Sequence, residues 1–263
     1  MKAWPDGRRG ALSVTFDNLG EAAEIQLGAD PDPGEHESVT RSLPLVLEAL
    51  ERHGVTATFF VEGLNAERYP DVLRGIDGAG HEVAYHAWCH EQWGELDPSE
   101  ESENLRRGRE AMGRLGLEPR GFRPPGGELS EHSLDLLAET GFAYVSPAGE
   151  EAGEEASAGT AAVLPFRWPE VDAFHVLPVF EDRRRELLGD AEAGGLEAIR
   201  AHLLGAVRRA AEQGGYAAIV LHNGMIEMED ELVDELLAEA ADRAEEGELW
   251  LARCDQVAAW LSS

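Results

Sequence analysis

The sequence predicts an α/β fold built on a mostly parallel sheet, and three observations carry that expectation. Short apolar runs alternate with helical patterns from end to end, which is the signature of repeated βα units. At 263 residues the chain is long enough to bury one substantial core, and a single domain over 1–263 is expected. Hydrophobic residues make up 43%, and 29 Gly and 13 Pro are spread along the chain rather than clustered, as in a folded protein.

Ala11 to Phe16 reads as the first strand. Leu43, Val46, Leu47 and Leu50 recur at helical spacing within Ser42 to Arg52, and Gly54 stops that helix before the β-rich run Val55 to Val61. A helix near Pro70 to Ala79, a strand at Glu82 to Tyr85 and a helix from Ser99 to Leu115 follow. Ser99, with Glu100 and Glu101 behind it, predicts a hydroxyl-capped helix start. Gly121 to Arg123 and Phe142 to Ser146 read as strands around a helix from Ser130 to Thr140. Pro147 to Ala162 lacks apolar periodicity and reads as a surface loop. Order returns from Val163 to Val179, then come a helix from Leu196 to Glu212, the strand Ala217 to Leu221, an acidic helix near Glu229 to Glu245, a strand at Leu249 to Ala252 and a last helix at Asp255 to Leu261.

The charge balance removes whole classes of partner. Asp and Glu number 52 against 22 Lys and Arg, a formal net charge of −30, so phosphate backbones and anionic membranes are repelled. Cys89 and Cys254 stand far apart and give no disulfide framework. The first residues lack an apolar stretch after their charges, and no segment approaches the roughly 18 apolar residues of a membrane span, so a cytoplasmic location is expected.

Functional side chains in parallel α/β architectures gather just beyond the C-terminal ends of strands. Here Asp17 and Asn18 follow the first strand, His86 and His90 follow Glu82 to Tyr85, Arg123 ends its strand, and His222 ends Ala217 to Leu221. His86 and His90, four residues apart on one helical turn, would lie on the same face within reach of one cation. Cys89 is an additional soft ligand on the same segment, or a small buried side chain.

Thr15-Phe16-Asp17-Asn18, Gly80-His81-Glu82-Val83 leading into His86 and His90, Phe122-Arg123-Pro124-Pro125-Gly126-Gly127 and Leu221-His222 occur in the order of the motifs of the polysaccharide deacetylase (NodB-like) family, which this chain resembles over about residues 10 to 225. Ala57 to Val61 is similar to a core strand of that family. The resemblance implies a distorted (β/α) barrel of about seven parallel strands and a hydrolase that removes an N-acyl group from a sugar or small amide. It implies a divalent metal, zinc foremost with cobalt or nickel as alternatives, held by Asn18, His86 and His90. Asp17 would be the general base, oriented by Arg123, and His222 the general acid. The backbone N–H of Gly126 would face the oxyanion. Trp168 and Asp172, in a poorly matched fourth motif, offer an aromatic wall and a carboxylate to orient His222.

Two departures stand out. Family members carry a second Asp where this chain has Asn18, so weaker metal binding is expected, and Gly126 replaces an aromatic, which opens one wall of the pocket. These leave open a metal-independent amidohydrolase resembling the allantoinase branch, and a non-catalytic carbohydrate-binding relative. The expected partner is a carbohydrate or small-molecule substrate, and long loops flanking the pocket favour a homo-oligomer.

Overall fold

The computed structural model describes residues 3–149 and 161–263, and its centre is a sheet of eight parallel strands. These are β1 (Gly10–Asp17), β2 (Thr58–Val61), β3 (Glu82–Tyr85), β4 (Gly121–Phe122), β5 (Tyr144–Val145), β6 (Ala162–Val163), β7 (Gly215–His222) and β8 (Leu249–Leu251). Seven of them follow the order β6-β5-β4-β3-β2-β1-β7 and curl into the distorted barrel expected from the sequence. β8 pairs with β1 alongside Gly10 to Leu12, whereas β2 pairs with it higher up, at Thr15 to Asp17. Since β7 takes the other edge along the whole of β1, the lower and upper halves of one edge serve different partners.

The two-residue period of a strand sorts side chains into two cores. Leu12, Val14 and Phe16 join Phe59, Val61, Val83 and Tyr85 in the larger one, between sheet and helices. Ala11 joins Phe60, Ala84, Tyr144 and Leu164 in the smaller one, inside the barrel. The same alternation gives the barrel Ser13, Thr15 and Asp17, a polar column that rises toward the C-terminal ends of the strands. Its hydroxyls are satisfied: Ser13 donates to the Ala252 carbonyl at 2.8 Å and Thr15 to that of Ile219 at 2.7 Å. Close approach is paid for with glycine at Gly10, where a Cβ would meet the Ala210 carbonyl oxygen at 2.1 Å.

Helices at Leu43–His53, Pro70–Gly78, Pro98–Gly113, Gly195–Gln213 and Ile226–Glu245 fall close to the expected spans. Three details differ. The cap of Pro98–Gly113 is Asp97, not Ser99: its carboxylate accepts from the N–H groups of Ser99 and Glu100, and Glu100 reaches back to the Asp97 N–H. β2 begins only at Thr58, because the Ala57 N–H leaves the ladder for His81 Nδ1 at 3.1 Å. The helix Glu181–Leu188 was not expected; it has almost no apolar face, and Arg185 pairs with Glu181 and Asp182 along it. Of the loop expected at Pro147 to Ala162, residues 150–160 lie outside the described residues.

The bottom of the barrel holds a buried acid. Glu82 accepts from the hydroxyls of Thr58 at 2.8 Å and Tyr144 at 2.9 Å and from the Asp255 N–H at 3.0 Å. Burial, with the Asp255 charge adding, lifts its carboxyl to about 7 from an ordinary 4.5. Between those values the folded chain keeps a proton that the unfolded chain has released, so this group lowers stability as pH rises from 4.5 to 7. Glu82→Gln should therefore remove that part of the pH dependence. Denaturation midpoints of wild type and variant that run parallel from pH 4.5 to 7 would sink the assignment.

Candidate active site

Asp17, Asn18, His86, His90, Arg123 and His222 lie at or just beyond the C-terminal ends of their strands, at the top of the barrel. Asp17 and His222 end β1 and β7 as register partners, so base and acid candidates sit on neighbouring strands at the same height. The turns that follow are held by unusual backbone. Asn18, Ala87 and His90 have positive φ, at 56°, 61° and 63°, three of the four non-glycine residues of that kind among those described. His86 to His90 is thus a tight turn and not the helical turn expected from the spacing: Ala87 turns the chain in the left-handed sense directly after β3. The two rings still meet, with centroids 5.1 Å apart and planes at 72°.

Two ion pairs set the electrostatics. Arg123 is fully buried, and its Nη1 donates to Asp17 at 2.7 Å and to the Thr15 hydroxyl at 2.8 Å. Ser146 Oγ accepts from Nε and Nη2 at 3.2 and 3.0 Å, and the guanidinium lies 4.0 Å from the centre of the Phe60 ring. Every guanidinium nitrogen therefore has a partner, and four of its five N–H groups are engaged, which fixes the Asp17 carboxylate. On the other side, Asp172 bonds both to the His222 N–H, at 2.6 Å, and to Nδ1, at 2.5 Å. Burial pulls the His222 imidazole down, but the charge and hydrogen bond of Asp172, with Asp17 adding, outweigh it and raise the group to about 9. His222 is consequently a cation at neutral pH, its Nδ1 proton held by Asp172 and its Nε2 proton directed away from that partner.

His86 and His90 have the opposite character. Burial holds His86 well below the ordinary imidazole value, with the charge of His90 adding, and burial followed by the charge of His222 lowers His90. His86 Nδ1 donates to the Arg123 carbonyl at 2.8 Å, leaving Nε2 with a free lone pair, 4.0 Å from Asp17. Asn18 Oδ1 is enclosed and has no donor. Two neutral imidazoles and an orphaned amide oxygen are a donor set that fits a divalent cation. Among the described residues no three His, Cys, Asp or Glu side chains form such a set, because the third position is an amide. Cys89 does not join it: its thiol donates to the Ala22 carbonyl at 3.1 Å, and burial pushes it up to about 11.

Gly126 is exposed at the tip of a turn with φ of 78°, followed by Gly127, also at 78°, where a Cβ would meet that of Ala148 at 2.8 Å. Trp168 stands beside Gly127 and packs among Phe166, Phe174 and Phe180, with Arg183 4.8 Å from its ring centre. Several supporting residues escaped the sequence reading. Ser146 holds Arg123. Glu21 accepts from Arg68 and from the Tyr69 hydroxyl, and Ser38 Oγ accepts from the Gly20 N–H at 2.8 Å, so both brace the chain just after Asn18. Glu62 is fully buried one residue beyond β2, and burial, with Asp17 adding, raises its carboxyl well above the usual range. An acid immediately after a hydrophobic strand was the available signal for Glu62; Ser146 and Ser38 had none.

A family model described as polysaccharide deacetylase matches residues 6–145. The peptidoglycan-N-acetylglucosamine deacetylase of Bacillus cereus is 32% identical over 124 residues, 47% of this chain and 43% of that protein. The chitooligosaccharide deacetylase of a Bradyrhizobium strain is 33% identical over 104 residues, 39% and 48% of the two chains. The matched segment thus spans under half the length of either relative. Among solved structures, a Mycobacterium smegmatis protein described as a polysaccharide deacetylase superposes with a TM-score of 0.81 and 26% identity, covering 99% of this chain and 93% of that one. An allantoinase superposes with a TM-score of 0.73 at 19% identity, covering the same shares, which is a likeness of fold.

Two outcomes follow from the ion pairs. Arg123→Ala leaves a buried carboxylate without its partner and should cost about 3–5 kcal/mol of stability, partly recovered by adding Asp17→Asn. Denaturant titration of wild type and the two variants checks this, and a loss below about 1 kcal/mol would show the pair to be dispensable. In Asp172→Asn the imidazole of His222 should titrate far below about 9, since burial then acts without its opposing charge. The raised value also stabilises the folded chain in full below 6.5, a contribution lost as pH rises through about 9, and Asp172→Asn should abolish that slope.

Proposed function

The chain belongs to the polysaccharide deacetylase family, and we propose that it hydrolyses the N-acetyl group of an amino sugar in a cation-dependent reaction. The observation that carries this reading is the register pairing of Asp17 with His222, each locked to a partner of opposite charge. Asp17, held by Arg123, is a proton acceptor whose orientation is fixed before substrate arrives. His222, protonated through Asp172, is a proton donor. Water adds to the acetyl carbonyl as Asp17 takes its proton, the C–N bond breaks as His222 protonates the departing amine, and acetate and the free amino sugar leave. The named sugar substrates of both relatives support the choice of amide.

Asn18, His86 and His90 would hold the cation, zinc foremost with cobalt or nickel as alternatives. Bound there, it supplies Lewis-acid polarisation of the carbonyl. Gly126 presents a backbone N–H at an exposed turn, on the side where the oxyanion develops, and its missing side chain leaves room for a sugar. Trp168, half-buried beside the same turn, would form an aromatic wall next to that sugar. The net charge of −30 favours neutral or cationic saccharides over polyanions.

The test is acetate release from N-acetylglucosamine oligomers and peptidoglycan fragments, with and without added zinc, cobalt or nickel. Asp17→Asn and His222→Ala should each lower kcat by roughly two to four orders of magnitude with the fold intact. Near-normal turnover in either variant removes that residue from the mechanism. Turnover that strong chelation leaves untouched would retain the hydrolase and eliminate the cation.

A further inference from the structure

Three buried acceptor oxygens without a donor share the corner between the ends of β1 and β2: Asn18 Oδ1, Glu62 Oε1 and Asn65 Oδ1. The Asn65 amide ties the corner together, donating to the Leu19 carbonyl and, at 3.1 Å, to Glu62 Oε2. Unpaired buried acceptors cost free energy, so three together mark a place shaped for an electron-pair acceptor. Backbone register says which way Glu62 points. The parallel ladder runs on past β2, with His86 N–H to Val61 O at 3.0 Å and Gly63 N–H to Ala87 O at 2.9 Å, so Glu62 stands directly beside His86. Phe60 faces the barrel interior two residues earlier, and the strand period puts Glu62 on the same inner face, at the height of the imidazoles. It is fully buried, and burial with the nearby Asp17 charge favours its protonated form until a cation supplies the counter-charge.

The carboxylates of the two ion pairs already have counter-charges. Asp17 is bonded to Arg123 and Asp172 to His222, while His86 Nε2 and Asn18 Oδ1 are neutral. Building on the cation-dependent reading above, we infer that Glu62 supplies the negative charge that the cation pocket lacks at Asn18. It does so from beside the imidazoles rather than as one of three convergent ligands, for no such trio exists among the described residues. Glu62 is therefore a positioning residue for the cation. This separates it from a purely mechanical role in bridging Leu19 and Asn65, which Gln would largely preserve.

The experiment is a competition titration of zinc and of cobalt against a chromophoric chelator, using the full chain and the variants Glu62→Gln, Asn18→Asp and the two combined. Glu62→Gln should weaken cation affinity by on the order of ten-fold or more, and adding Asn18→Asp should restore it, because either carboxylate neutralises the same ion. Glu62→Met, which fills the volume without an acceptor, is measured in parallel in case the Gln variant fails to fold. Unchanged affinity in Glu62→Gln, loss that Asn18→Asp does not recover, or no cation uptake by the wild type would each overturn the inference. Acetate release, followed separately, distinguishes its failure from that of the proposed reaction: turnover without cation sensitivity sinks this inference together with the cation but keeps the hydrolysis, and Glu62-dependent binding without turnover sinks the reaction alone.

Discussion

The guanidinium of Arg123 at the centre of the barrel is the constraint on which the rest of the site depends. A buried cation is tolerated only where every donor is satisfied and a counter-charge is near. Here Asp17, the Thr15 hydroxyl and Ser146 engage every nitrogen of the group with four hydrogen bonds, and Phe60 lies against its face. Its backbone carbonyl then fixes the His86 ring through Nδ1. One residue thereby orients the acid of β1 and an imidazole of the turn after β3, and couples strands that are not neighbours in the sheet. Such a pair adds little net stability over an apolar filling, so its value lies in holding functional atoms in place.

The two charged pairs divide the site by protonation state. Arg123 locks a carboxylate, whereas the charge and hydrogen bond of Asp172 make a cation of His222. Between them stand imidazoles that burial keeps neutral. Neighbouring side chains of a single type, histidine, are thus neutral at two positions and cationic at the third, and environment alone makes the difference.

Much of this was legible in sequence because strand ends are where apolar runs stop, and Asp17, His86, Arg123 and His222 each stand at such an edge. The helices with clear apolar periodicity were legible for the same reason. What stayed hidden depended on long-range placement. Asp172, 50 residues from His222, was expected as its partner only through the family resemblance, and the chain path through Val171, which bridges to Val220, is what brings it there. The turn at Ala87 looked helical because histidine spacing carries no information about a positive φ on alanine. Glu181–Leu188 was missed because ion pairs along one surface, not a buried stripe, hold it. Asp97 lost to Ser99 in the reading because both are good caps and only the observed bonds choose between them.

The shared edge of β1 bears on how the chain reaches its native state. Its upper half waits for β2, which is synthesised soon afterwards, but its lower half is completed by β8, and Ser13 finds its acceptor only at Ala252, 239 positions later. Contacts of such sequence separation carry a large loop-closure penalty before they return any stabilisation, and they slow folding. During synthesis β1, which has three strand partners, is therefore the first of the eight strands made and among the last to be fully paired, and it presents an unsatisfied backbone edge for most of that interval. A partner that shields nascent strand edges has its natural point of action at Gly10 to Leu12.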